Sequence, residues 1–272
     1  MAGAIHELPL HLRVRPVMTE KGVRVLPVSV VIVTRNEEHN IEDALKSVKD
    51  AREIIVVDSF SSDRTVDICK GYTDKVYQHE WEGFARQKQR AVDYAQGPWV
   101  LILDADERVT PELREEILGS ISSTHYNGFY MPRENYFIGK WIRHSGWWPD
   151  NTLRLFLKDK GRLEPREVHE RVVVKGATGY LKHPLRHYTY RSVSDFVERM
   201  ERYSTLAARE IEKKSGCAGL YSLTVRPCAT FIKMYVMRLG FLDGTRGFML
   251  AVLYSYYTFL KYAKVWQVKA GK

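Results

Sequence analysis

From Pro27 onward, apolar runs of strand length alternate with segments whose apolar residues recur every three or four positions. "VSVVIV" (residues 28–33) is a β-branched run that predicts a buried strand. "EEHNIEDALKSVKD" follows, with Ile41, Leu45 and Val48 on one helical face. "EIIVVDS" predicts a second strand, and "SSDRTVDICKGY" a helix capped by Ser62 or Asp63. "DKVYQH" reads as a short third strand, "GFARQKQRAVDYAQG" as a helix stopped by Gly97, and "WVLIL" as a fourth strand. Strands alternating with helices predict an α/β fold, a mostly parallel sheet with helices on both faces.

After Pro111 the rhythm changes. "PELREEILGSI" predicts a helix with Pro in its first turn. Residues 127–190 are rich in aromatics, Gly and Pro, with strand-like pieces "GFYMP", "NTLRLFL" and "ERVVV". "SVSDFVERMERYSTLAAREIEKKSG" predicts a long helix capped by Ser192 or Ser194. Two further helical patterns, broken at "GFLDGTRG", fill the C-terminal end. The divisions expected are an N-terminal extension at 1–26, an α/β body at 27–215 and a helical tail at 216–272.

Hydrophobic residues at 44% and charged residues at 28% are ordinary for a folded protein. The formal net charge of +9 adds something, since it favours nucleic acid, phosphorylated substrates or an acidic membrane as partners. Most of the excess is local: residues 220–272 carry eight Lys or Arg against one acid, Asp243. Cys69, Cys217 and Cys228 show neither a disulfide framework nor zinc-ligand spacing, which fits a reducing compartment. The N-terminus has charges where a secretion signal needs an apolar segment. No uncharged apolar run approaches the roughly 20 residues of a spanning helix. A cytoplasmic protein, peripheral on the cytoplasmic face of an inner membrane, is the expectation.

The chemistry lies where the strands end. The first runs into Thr34-Arg35-Asn36-Glu37, the second into Asp58-Ser59, the fourth into Asp104-Ala105-Asp106. In an open parallel sheet, ligands sit beyond the carboxyl ends of the strands. Any one acid there is explained by a helix cap or a solvated loop, and 13 Asp in 272 residues supply about 0.6 D-x-D pairs by chance. Three acid-tipped strands meeting at one edge are harder to dismiss. Oxygen ligands suit a hard divalent cation, Mg²⁺ or Mn²⁺, which binds one or two carboxylates together with substrate phosphates. The same acids exclude nucleic acid from that edge, because without a metal they repel phosphates.

"VSVVIVTRNEE", "EIIVVDSFSSDRT" and "WVLILDADE", in this order and at about these spacings, resemble family 2 glycosyltransferases of the GT-A fold. The resemblance covers residues 28–107 and continues more loosely through "NTLRLFLKDKGRLEPREVHE". "FARQKQRAVDYAQGPWVLILDADE" and "REVHERV" are most similar to the bacterial lipopolysaccharide-core glucosyltransferase branch. The resemblance implies a nucleotide-sugar half at 27–110, an acceptor half at 111–215 and a helical extension beyond. It places Thr34, Asn36 and Glu37 against the nucleoside and Asp58 against the base, usually uracil. Asp104 falls on the ribose or base side of the donor, and Asp106 on the metal bridging the diphosphate. Arg86 and Lys88 fall near the donor phosphates, although a solvated basic helix face is the plainer explanation for them. One departure is Ser59-Phe60, where the family often has a further Asp, so the base contact is expected to differ in detail.

An inverting transfer needs a general base for the acceptor hydroxyl. Beyond Arg154, "EPREVHE" resembles the place where related enzymes carry an acidic pair, which makes Glu170 the first candidate; Asp150 is the second. Trp141, Trp147 and Trp148, near Arg143 and His144, fit either a sugar-stacking wall or packing beneath an irregular loop. The basic, aromatic tail fits a helix lying on an anionic bilayer, or an interface between subunits. The implied activity is transfer from a UDP-sugar to a glycan or glycolipid acceptor, in lipopolysaccharide core or other cell-envelope glycan synthesis. Transfer to polyprenyl phosphate is the rival enzyme reading, and a non-catalytic nucleotide-sugar binder the rival outside enzymes.

Overall fold

The computed structural model describes residues 24–122, 125–164, 171–213 and 218–270. Strands β1 (Leu26–Thr34), β2 (Ala51–Asp58), β3 (Val76–Gln78) and β4 (Trp99–Asp104) lie in the order β3-β2-β1-β4, all parallel. Alternate residues of β1 enter different cores. Val28, Val30 and Ile32 pack with Ile41 and Leu45 of α1 (Ile41–Ser47), Cys69 of α2 (Thr65–Lys70), and Leu113 and Ile117 of α4 (Pro111–Ser122). Val31 packs instead with Ala91 and Val92 of α3 (Phe84–Tyr94). Burial on both faces is why this strand reads as a continuous apolar run.

Beyond β4 the sheet turns mixed. β8 (Asp150–Leu157) runs antiparallel to β4, and the order continues through β6 (Gly128–Phe137), β12 (Leu185–Tyr190) and β5 (Glu107–Val109). β5 is antiparallel to β12, while β7 (Lys140–Trp141) and β11 (Thr178–Tyr180) pair with β6. β9 (Gly161–Glu164) and β10 (Arg171–Val174) form a separate antiparallel pair.

The chain divides into two compact units. The first contains residues up to Arg133 together with Asn151–His187, and the second contains Glu134–Asp150 and Tyr188–Lys272. The second is built from α5 (Val193–Lys213), α6 (Leu220–Ile232) and α7 (Thr245–Ala270) around Phe137, Tyr190, Phe196, Met234 and Leu250. Ser192 caps α5 by accepting the Asp195 N–H at 3.0 Å. Arg226 of α6 meets Tyr262 of α7 while Phe231, further along α6, meets Phe248, so α6 and α7 run antiparallel. The break expected between them is a π turn at Lys233–Met237 and a 3₁₀ turn at Gly240–Asp243. Among the described residues, no helix is long and apolar enough to cross a membrane.

Gly97 does not stop α3. That helix ends at Tyr94, and Ala95 is already extended. The Gly97 N–H instead donates to Ser29 Oγ at 2.9 Å and Glu53 Oε1 at 3.2 Å, and a Cβ there would stand 2.5 Å from Ser29 Oγ. Close approach, not capping, requires the glycine.

Glu53 ties this corner together, accepting from Ser29 Oγ at 2.5 Å, from the Gln96 N–H at 2.6 Å and from Lys75 Nζ. Burial alone would raise its carboxyl, but Lys75, Ser29 and the two amides prevail and bring it down to about 2. A folded-state value below the ordinary one stabilises the protein above about pH 4.5, and that stabilisation is lost as pH falls toward 2. It amounts to about 3 kcal/mol at neutral pH. Glu53→Gln is therefore expected to lose most of that amount at pH 7 in urea unfolding. The gap to wild type should close as pH falls from 4.5 to 2; a gap independent of pH would refute the assignment.

Candidate active site

Sheet register brings the acids together. Thr34 aligns with Asp58 across β1 and β2, Asp58 with Gln78 across β2 and β3, and Val33 with Asp104 across β1 and β4. Parallel pairing thus delivers Thr34, Asp58 and Asp104 to one edge, within one residue of each other in register.

The two loops leaving that edge are laced to each other. The Asn36 N–H donates to Ser61 Oγ at 2.8 Å, and its Oδ1 accepts the Ser62 N–H at 2.8 Å. The Glu37 N–H donates to Thr65 Oγ1 at 2.8 Å, while its carboxylate accepts from Asn40 Nδ2 at 2.7 Å. Of the two expected caps of α2, Asp63 accepts the Thr65 N–H at 3.0 Å, whereas Ser62 is engaged with Asn36. Asp58 is fully buried and accepts the Ser61 N–H at 2.9 Å, Gln78 Nε2 at 3.1 Å and the Ser61 hydroxyl. Thr34 Oγ1 is buried with no hydrogen-bond partner among the described residues. Phe60, at the departure from the family pattern, is exposed with a left-handed backbone (φ 54°).

The D-A-D turn is held by cations. Asp104 meets Lys88 Nζ at 2.8 Å and the Arg154 guanidinium on its other oxygen. Burial pushes the Asp104 carboxyl up, but Arg154 and Lys88 outweigh it and hold it well below the usual carboxylate range. Glu107 is fully buried; it accepts the Asp104 N–H at 3.0 Å and meets Arg154 at 2.8 Å and Arg133 at 3.4 Å. Arg108 braces the turn from outside through the carbonyls of Ala105, Glu107 and Asn40. Asp106, also buried, has the ring Nε2 of His187 at 3.4 Å from its carboxylate.

Asp106 and His187 are an oxygen and a nitrogen donor presented together, a fitting pair for a divalent cation that takes its remaining ligands from a diphosphate and water. Among the described residues, no group of three or more potential ligands is assembled. Arg86 lies exposed on α3 and meets Glu82 at 3.5 Å. Asp150 belongs to the second unit, where buried Asn135 donates to it at 3.1 Å. Glu170 lies outside the described residues. Glu107, Arg133 and His187 were not among the sequence candidates. Arg154 carried a signal, a charge in the middle of the apolar strand "NTLRLFL".

The chain matches the family described as glycosyl transferase family 2 over residues 29–189. It is 31% identical to the lipopolysaccharide core biosynthesis glycosyltransferase LpsC of Rhizobium meliloti, across 91% of this chain and 94% of that one. An uncharacterized glycosyltransferase of Rickettsia typhi is 30% identical across 88% of this chain and 86% of its own length. Among solved structures, residues 1–349 of S. aureus TarS in complex with UDP align at 17% identity with a TM-score of 0.47, covering 90% of this chain and 92% of that one. With the family matched across the sheet and its acidic edge, and a relative matched over nine-tenths of the chain, this protein belongs to glycosyltransferase family 2.

Proposed function

We propose that this enzyme transfers a hexosyl group, with inversion, from a UDP-sugar to a saccharide or glycolipid acceptor in lipopolysaccharide core or other cell-envelope glycan synthesis. It would work at the cytoplasmic face of the inner membrane, with the C-terminal helices on the membrane surface. The name of the Rhizobium relative supports the pathway class. The observation that carries the reading is the division of labour at the D-A-D turn. Asp104 is fixed by Lys88 and Arg154, while Asp106 is set beside His187.

In this reading Asp58 receives the base, using acceptor capacity beyond its bonds to Ser61 and Gln78, since a carboxylate offers about four lone-pair sites. Thr34, Asn36 and Glu37 line the nucleoside, and the unpartnered Thr34 hydroxyl is ready for a ligand oxygen or N–H. Asp104 takes the ribose side. Lys88 keeps a positive charge beside the diphosphate, and Arg86 approaches it from the exposed face of α3. Asp106 and His187 would hold Mg²⁺ or Mn²⁺, which supplies charge neutralisation for the departing diphosphate. The acceptor oxygen attacks the anomeric carbon from the face opposite UDP. The carbon–oxygen bond to UDP breaks, and the hydroxyl proton passes to Glu170 or, failing that, Asp150.

Thermal unfolding with UDP, GDP, dTDP and CMP, each with and without Mn²⁺, tests the donor side. UDP with Mn²⁺ should stabilise the wild type by about 2.7 kcal/mol at a hundredfold excess over its Kd, and Asp106→Ala should lose the metal-dependent part. Absence of a shift with every nucleotide would sink the reading.

The base is tested by label transfer from UDP-hexoses to envelope glycolipids. Glu170→Gln is expected to lower kcat about 10²–10⁴-fold while leaving UDP-induced stabilisation intact. If Asp150→Asn is the damaging change, the roles exchange. If neither matters, the acceptor is already ionised, and polyprenyl phosphate takes its place.

A further inference from the structure

A second basic feature lies wholly within the second unit. Residues Lys140–Asp150 and the turns between α6 and α7 enclose an open cleft of about 450 Å³, lined by Arg143, His144, Trp148, Met237, Arg238 and Leu239. Asp243, which lies beside it, is buried and tied down. Its carboxylate accepts the backbone N–H groups of Arg143 at 3.2 Å and His144 at 2.9 Å and faces His144 Nδ1 at 3.2 Å. Its carbonyl accepts from Lys140 Nζ at 3.2 Å. Asp243 therefore shapes the cationic loop without meeting either guanidinium.

The guanidinium groups rest on flat surfaces. Arg143 lies over the Trp141 ring at 4.3 Å. Arg238 is stacked on Gly146, where a Cβ would stand 1.9 Å from its Nη1 and the backbone is left-handed (φ 79°). Among the described residues, neither arginine is ion-paired with a carboxylate. Two arginines positioned by stacking keep their N–H forks available for an oxyanion.

The same turns carry apolar side chains outward. Met237, Leu239, Phe241 and Leu242 are all exposed within six residues, and Leu239 holds a left-handed backbone (φ 55°). A dissolved phosphate or a nucleic acid would use the arginines but gain nothing from four exposed apolar side chains. A phosphate attached to an acyl chain uses both, because apolar side chains insert at the headgroup boundary while basic ones meet anionic headgroups.

We infer that the Arg143–Arg238 cleft binds the phosphate of an anionic lipid headgroup, with Met237, Leu239, Phe241 and Leu242 inserted beside it at the bilayer surface. This deepens, and rests on, the membrane-surface part of the proposed function. It does not depend on the donor site.

The test is co-sedimentation of the full chain with vesicles of phosphatidylcholine and phosphatidylglycerol, and with phosphatidylcholine alone. The wild type should partition onto the anionic vesicles in preference to the neutral ones. Arg143→Gln with Arg238→Gln should weaken that partition roughly thirtyfold, about fivefold for each cation. Phe241→Ser with Leu242→Ser should weaken it without touching the arginines. UDP-induced stabilisation unchanged in both variants would show the fold intact and separate this result from failure of the donor site. Equal binding of the wild type to both vesicle types, or wild-type partition by the double arginine variant, would overturn the inference. So would thermal stabilisation by inorganic phosphate without vesicle binding, which would reassign the cleft to a soluble anion.

Discussion

The acidic edge depends on Arg154. One guanidinium reaches Asp104 and Glu107, two carboxylates that the chain turns inward at the end of β4. Acids so deeply placed cannot stay ionised without partners, because the desolvation cost has to be met by close charges and hydrogen bonds. Arg154, Lys88 and Arg133 provide the charges, and the Asp104 N–H and Glu107 close the turn on itself. Such a cluster is weak evidence for added stability, since apolar residues often pack as well. What it supplies is a fixed orientation for the Asp104–Asp106 turn, set before any ligand arrives.

The parallel half of the sheet is what makes that edge. Side chains alternate along β1 between two cores, so both of its faces are spoken for and its register against β2 and β4 is strongly specified. A slip of one residue would exchange the cores and carry Thr34 away from Asp58. The corner at Ser29, Glu53 and Gly97 pins the opposite end of the same strands. The site geometry is therefore a consequence of how the strands are buried.

This is also why so much of the first half was legible in the sequence. A strand buried on both faces announces itself by composition, and the acids after Val33, Val57 and Leu103 stand out against it. Strand direction was not legible: β8 buries its C-terminal half beside β4 yet runs against it, and side chains alternate identically in both arrangements. Gly97 was misread because a stop signal and a close-approach glycine look alike in one dimension. The partners of the turn were hidden by distance along the chain. Arg154 reaches Asp104 across 50 residues, and no local spacing links His187 to Asp106. Charges inside apolar strands are the one local clue, and Arg154 displays it.

The chain's positive charge divides into two populations that a net figure of +9 conceals. In the first unit, Lys88, Arg133 and Arg154 are matched by carboxylates and act as positioning charges, shielded from salt by burial. In residues 220–272 the acids run out, with Asp243 alone against eight cations. Some of these are absorbed locally, as Lys264 is by Glu201 and Arg226 is by the Tyr262 ring. Among the described residues Arg238 has no such match; glycine and backbone hold it in place instead. Burial makes a cation structural by pairing it, while stacking on a flat surface leaves its charge directed outward. The first arrangement orders a site in advance, and the second keeps an electrostatic demand open for something outside the chain.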